Sequence, residues 1–204
     1  MRKHWARCLF ASSAALLLGA CAGSTNIMIE QTFPSVVAQP QALHATLVFD
    51  QAFRSYVATP DEHTQIGIGT AQVELLSNAF RGLFTQVDVV TSRDEIPPGT
   101  EMVIVASVRE VQVSVPSESY LSVYEVWIKY NLEIETADGT GIDSWFLPAY
   151  GKTPDSMLLS RSTAIEQAAI VALRDAGAKL LLDFFRIPAI YAWMQEHENQ
   201  KVQS

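Results

Sequence analysis

The chain has 204 residues, 49% of them hydrophobic and 18% charged, with a formal net charge of −8. Such a balance supports a folded core, and the acidic surplus argues against binding nucleic acid or adhering electrostatically to anionic lipid. A chain of this length can bury one core without disulfide staples.

At the N-terminus Arg2, Lys3 and Arg7 precede Leu9 to Leu18, an uncharged apolar run mixed with Ser and Ala. Crossing a hydrocarbon core takes about 20 helical residues. The run is too short for that and reads as the apolar region of a signal peptide, residues 1–20. It closes on Leu18-Gly19-Ala20-Cys21, an aliphatic residue, two small residues and a cysteine. This tetrapeptide resembles the lipobox of bacterial lipoproteins. The resemblance implies cleavage before Cys21, a diacylglyceryl thioether on its sulfur and an N-acyl chain on the new amine, with no other cofactor. One acyl chain holds a protein marginally, at about 0.8 kcal/mol per buried CH2, whereas two or three hold it stably. Ala22, rather than Asp, follows the cysteine. By resemblance to proteobacterial sorting, that favours the outer membrane, with the body in the periplasm. Cys8 would leave with the signal and Cys21 would be acylated, so no thiol remains for a disulfide or a thiolate metal site. Discarding Arg2, Lys3 and Arg7 takes the formal charge from −8 to −11.

Residues 21–41 read as the lipidated cysteine and a tether, with Gly23, Ser24, Pro34, Ser35 and Pro40 and no sustained period. Twenty extended residues reach roughly 65 Å at about 3.3 Å each. Ile27 to Ile29 offers the alternative of a short strand. A single domain is expected over 42–194, followed by a polar tail over 195–204.

Ala45 to Phe49 is a strand candidate, closed by a polar stretch containing Pro60, Asp61 and Glu62. Ile68, Leu75, Leu76, Ala79, Phe80, Leu83 and Phe84 recur at steps of three and four and predict an amphipathic helix, its stripe broken at Gln72. Val87 to Val90 follows as a strand, and Pro97-Pro98-Gly99 turns the chain. Met102 to Val115 begins apolar on both faces and then alternates. In Tyr124 to Glu135, Tyr124, Val126, Ile128, Tyr130, Leu132 and Ile134 face one way and the charged residues the other. That is a strand with one buried and one wet face. Asp138-Gly139 signals a hairpin into a strand over Ile142 to Tyr150. Ser162 to Phe185 predicts a helix whose stripe of Ala168, Ala169, Ala172 and Ala176 should bring it close to a sheet. Ile187 to Met194 makes a short apolar coda. The sum is an α+β fold, β-α-β-β-β-β-α, a mostly antiparallel sheet with two long helices packed on one face.

Little in the sequence points to catalysis, and no enzyme is expected. Gly67-Ile68-Gly69-Thr70 lacks the third glycine of a dinucleotide loop and the Gly-Lys-Ser/Thr end of a nucleotide loop, so it reads as a turn into a helix. His44, His63 and His197 have no metal-site spacing, and no nucleophile elbow occurs. Glu133 and Glu135 read as solvated strand residues. Aromatics are the better lead. Trp127 falls on the wet face of its strand, Trp145 and Phe146 must point to opposite faces, and Tyr150, Tyr191 and Trp193 add further groups. Large aromatics on wet faces are enriched at recognition surfaces. Trp127, Trp145, Tyr150, Tyr191 and Trp193 are therefore the candidate partner-binding residues.

The lipobox, the segment Val73-Glu74-Leu75-Leu76-Ser77-Asn78-Ala79-Phe80-Arg81-Gly82-Leu83-Phe84 leading to Val87-Asp88-Val89-Val90, the long hairpin and the alanine-rich Ala164 to Ala178 together resemble small Gram-negative outer-membrane lipoproteins with a CsgG- or TolB-N-like sandwich. YajG-type lipoproteins and penicillin-binding-protein activators belong to that group. The resemblance implies an assembly, scaffold or transport-accessory role and no catalytic residues, and the aromatic sheet face adds the expectation of an envelope protein partner. The chain is also similar in size and element order to LptE, although Ala22-Gly23-Ser24-Thr25 stands where that family places Gly-Phe/Trp-His-Leu. That likeness implies lipid or glycolipid transport as the alternative role.

Overall fold

The structure is a computed structural model that describes residues 24–34, 39–118 and 121–203. The expected signal peptide, the lipobox residues Leu18, Gly19 and Ala20, and Cys21 lie outside them. In chain order the elements are β1 (Thr25–Met28), β2 (Gln41–Val48), the one-turn helix α1 (Gln51–Arg54), β3 (Val57–Asp61), β4 (Thr64–Gly67), α2 (Gly69–Leu83), β5 (Phe84–Val90), β6 (Met102–Ser114), β7 (Val123–Thr136), β8 (Gly141–Pro154), α3 (Arg161–Asp183) and α4 (Pro188–Gln203).

The main sheet has the order β5-β2-β6-β7-β8. Its β6–β7–β8 half is the expected antiparallel pair of ladders, with Ile128 opposite Val111 on one side and Ala149 on the other. The other half is parallel, because β2 lies between β5 and β6 and runs with both. Ala45, Thr46, Leu47 and Val48 are all buried, as a central strand covered on both faces requires. The connection from β2 to β5 carries α2, as a parallel crossover requires.

Helices α2 and α3 cover one face of this sheet, as expected for an α+β fold. Ile128, Tyr130, Leu132, Leu76, Phe80, Leu173 and Leu180 meet between the layers, all essentially inaccessible. Each such side chain contributes about 1.5–3 kcal/mol by leaving water. The exception in the α2 stripe is explained by its partner. Gln72 is buried, and its side-chain amide donates to the carbonyl of Phe53 in α1 at 2.7 Å. The Gly67-Ile68-Gly69-Thr70 turn is likewise absorbed by the fold. The amides of Ile68 and Gly69 both donate to the Tyr56 carbonyl, at 3.1 and 3.2 Å, and a Cβ on Gly69 would stand 2.1 Å from the Arg54 carbonyl oxygen.

Two regions differ from expectation. The stretch read as a tether joins the body at Thr25, where the alternative of a short strand holds as β1. There β1 runs parallel to β4 in a small sheet of order β1-β4-β3, and Ile27, Ile29 and Phe33 are buried in the common core. Asn78 and Glu74 of α2 bond the backbone of Phe33 and fix this segment further. The polar stretch around Pro60 to Glu62 forms part of β3 and the turn into β4. At the other end, residues 188–203, from the coda into the polar tail expected over 195–204, form one helix, α4. Ile190 is fully buried and Trp193 and Met194 pack on the core. One and two helical turns further, His197 and Lys201 reach Glu101. These contacts at helical spacing order a segment that looks too polar to fold by itself.

Candidate functional site

The face of the main sheet opposite α2 and α3 carries the aromatic lead. On β7 it presents Glu125, Trp127, Lys129 and Asn131, which register with Lys152, Tyr150, Pro148 and Phe146 of β8. Segment 91–101 folds over the β2–β6 side of this face. Thr100 and Thr46 share a hydroxyl hydrogen bond of 2.7 Å, and Arg93 ion-pairs with Glu133 and Glu135. That cover reaches β7 only towards its C-terminal end, at Glu133 and Glu135, and none of these contacts involves Trp127, Tyr150 or Phe146.

Trp127 and Tyr150 pair across the strands with ring centroids 5.0 Å apart and planes tilted by 41°. The Tyr150 hydroxyl donates to Glu125 at 2.6 Å. Giving up that proton would break the bond to Glu125, and burial and the Glu125 charge oppose it too, so the phenol is pushed up to about 12. It is thus a neutral, oriented donor at any physiological pH. Beside the pair, Lys129 and Gln112 each bond Glu110 at 2.6 Å, which holds the Glu110 carboxyl below its ordinary value. An aromatic pair framed by fixed charges suits recognition of another surface; no nucleophile with an activating base is assembled there.

The five candidate aromatics do not converge. Trp127 and Tyr150 share the open face. Trp145 points the other way, onto Phe184 at 6.2 Å, and fills the helix-side core instead. Tyr191 and Trp193 stand on α4, Tyr191 exposed and Trp193 stacked on His197 at 4.7 Å. The aromatic that does join Trp127 and Tyr150 is Phe146, 50% exposed. Strand parity carries the signal for it, since 146 and 150 share a face and 145 does not. Pro148 lies between them on the same face.

The edge of the sheet at β8 is capped from α3. The Tyr150 amide donates to Asp175 at 2.9 Å, and Lys179 donates to the Pro148 carbonyl at 2.7 Å while pairing with Asp175. Satisfying an edge in this way discourages pairing with another strand. A second polar cluster, invisible in the sequence, centres on Glu101. His197 Nε2 lies 2.8 Å from it, Lys201 pairs with it, and the His44 amide donates to it at 2.8 Å. Burial alone would raise the Glu101 carboxyl, but these bonds outweigh it and hold it at about 2. His44 itself sits 2.6 Å from Asp88.

No family model and no curated protein sequence matches this chain. Among solved structures it is similar to a Helicobacter pylori chain described as a neuraminyllactose-binding hemagglutinin homologue. The identity is 14% and the TM-score 0.52, over 87% of this chain and all of that one. It is also similar to a chain described as a lipoprotein from Caulobacter crescentus, at 14% identity and TM-score 0.41 over 68% of this chain and 86% of that one. A minor lipoprotein from Acinetobacter baumannii matches at 13% identity and TM-score 0.40, over 76% and 96%. At such identity the Helicobacter likeness establishes the fold alone. Among the described residues, no helix is long and apolar enough to cross a membrane.

Proposed function

We propose that this chain is an envelope lipoprotein, acylated at Cys21 and held at the outer membrane of a Gram-negative cell with its body in the periplasm. Its role is non-catalytic: the open face of the main sheet docks an envelope protein in an assembly or scaffold. The observation that carries the docking role is the Trp127–Tyr150 pair, which shares with Phe146 the face that α2 and α3 leave uncovered. The Leu18-Gly19-Ala20-Cys21 sequence carries the anchor. Crosslinking in intact cells followed by purification tests the role. A defined envelope protein should be captured by the native chain and lost with Trp127→Ala, while that variant stays folded and still unfolds cooperatively. Capture unaffected by Trp127→Ala would remove the sheet face from the account.

The alternative, a lipid or glycolipid transport accessory of the LptE kind, calls for an apolar groove between sheet and helices. In the described residues Phe80, Phe84, Ile128, Tyr130 and Phe184 fill that space. This favours the docking role.

A further inference from the structure

The loops at one end of the molecule expose more apolar surface than their surroundings explain. Met157 and Leu158, between β8 and α3, are 105% and 93% exposed, and Leu121, between β6 and β7, is 60% exposed. The two loops are neighbours, since the Asp155 amide donates to the Ser122 carbonyl at 2.9 Å. Clustered exposed side chains of this kind mark a surface that meets something apolar.

The place where the chain joins the body says what that is. The Thr25 amide donates to the His63 carbonyl at 2.6 Å, in the turn between β3 and β4. In the same turn Asp61 pairs with Arg161, three residues beyond Leu158, at 3.5 Å. Cys21 precedes Thr25 by four residues, a reach of at most about 13 Å at roughly 3.3 Å each. An acylated Cys21 therefore brings a bilayer to the end of the molecule that bears Met157, Leu158 and Leu121. The helix α4 and the β7–β8 turn lie at the other end, where β6 begins and β7 finishes.

We infer that this apolar tip inserts into the lipid interface beside the anchor, so that the body has a fixed orientation on the membrane instead of swinging on a tether. The inference rests on acylation of Cys21. The charges around the tip are mixed and mostly acidic, namely Asp61, Glu62, Glu118 and Asp155 with Lys152 and Arg161. Contact through apolar burial, not attraction to anionic headgroups, follows from that, and it persists as salt is raised.

The test uses the naturally acylated full-length product, its acyl mass checked beforehand, in vesicles of phosphatidylethanolamine and phosphatidylcholine with spin-labelled acyl chains. An environment-sensitive dye is placed on Ser156→Cys at the tip or on Asp138→Cys in the β7–β8 turn. Emission at 156 should be lost to the quencher and that at 138 retained, at low and high salt alike. Adding Met157→Ser with Leu158→Ser should restore emission at 156. Equal quenching at both positions, or none at either, in fully acylated protein overturns this inference and leaves the anchor standing. Protein without acyl mass overturns the anchor and this inference with it. A dye at 156 shielded only by an added envelope protein also overturns it, giving the tip to a protein partner.

Discussion

Gly151 of β8 lies directly against Ala168 of α3: a Cβ at position 151 would stand 2.0 Å from the Ala168 carbonyl oxygen and 2.4 Å from the Ala172 amide nitrogen. Both obstacles are backbone, so no rotamer change relieves them. Gly151→Ala must lift the helix off the sheet and is predicted to cost about 3 kcal/mol or more. Gly141→Ala, with nothing within 4 Å of its Cβ, should stay within about 0.5 kcal/mol. Denaturant melts of the two variants read the difference, and equal midpoints would show that α3 does not seat on β8.

One residue away, the Tyr150 amide depends on Asp175. Asp175→Ala leaves that edge N–H and the Lys179 ammonium without their shared acceptor. The expected loss is about 1–2 kcal/mol, together with concentration-dependent association as the β8 edge opens. Sedimentation over a concentration series checks this. A variant that stays monomeric and fully stable would show that the cap has no protective role.

Acid should loosen α4 first. The Glu101 carboxyl is held at about 2, below its ordinary 4.5. A depressed carboxylate stabilises the fold above its unfolded pKa and loses that contribution as pH falls through its folded pKa. The bonds to His197 and Lys201 are thus present above about pH 4.5 and disappear towards pH 2. Glu101→Gln should melt below the native protein at pH 7, and the gap should close across that window. A gap independent of pH would place the effect elsewhere than in this carboxylate.

The aromatic face should be separable from the fold. Trp127→Ala removes a tilted ring pair worth about 0.5–1.5 kcal/mol beyond burial, which a folded domain tolerates. Tyr150→Phe keeps the ring and removes the donor to Glu125. Loss of partner capture in the first variant with retention in the second would show that the rings, not the hydroxyl, make the contact. Unfolding of Trp127→Ala would instead make the pair structural.

Much of the fold is legible in the sequence wherever one face is wet and the other dry. The alternation of Tyr124 to Glu135, the three-four spacing of α2 and the alanine stripe of α3 each find their place in β7, α2 and α3. The stretches that escape take their structure from distant partners. Residues 25–33 are ordered by Glu74 and Asn78, and α4 by Glu101. Neither pairing leaves a local period. The direction of β2 escapes for a similar reason, because its apolar run suits a central strand of either sense until α2 is seen to cross over. In the candidate site, parity alone is enough to prefer Phe146 to Trp145, but only the structure shows segment 91–101 bonding Thr46, Glu133 and Glu135 on that face.

The account turns on what is attached to Cys21. Intact-mass measurement of the protein extracted from its native envelope addresses this directly. The account predicts a chain beginning at Cys21 and carrying the added mass of a diacylglyceryl group and an amide-linked acyl chain. A product that retains Arg2, Lys3 and Arg7, or one that begins at Cys21 with no fatty-acyl mass, would contradict it.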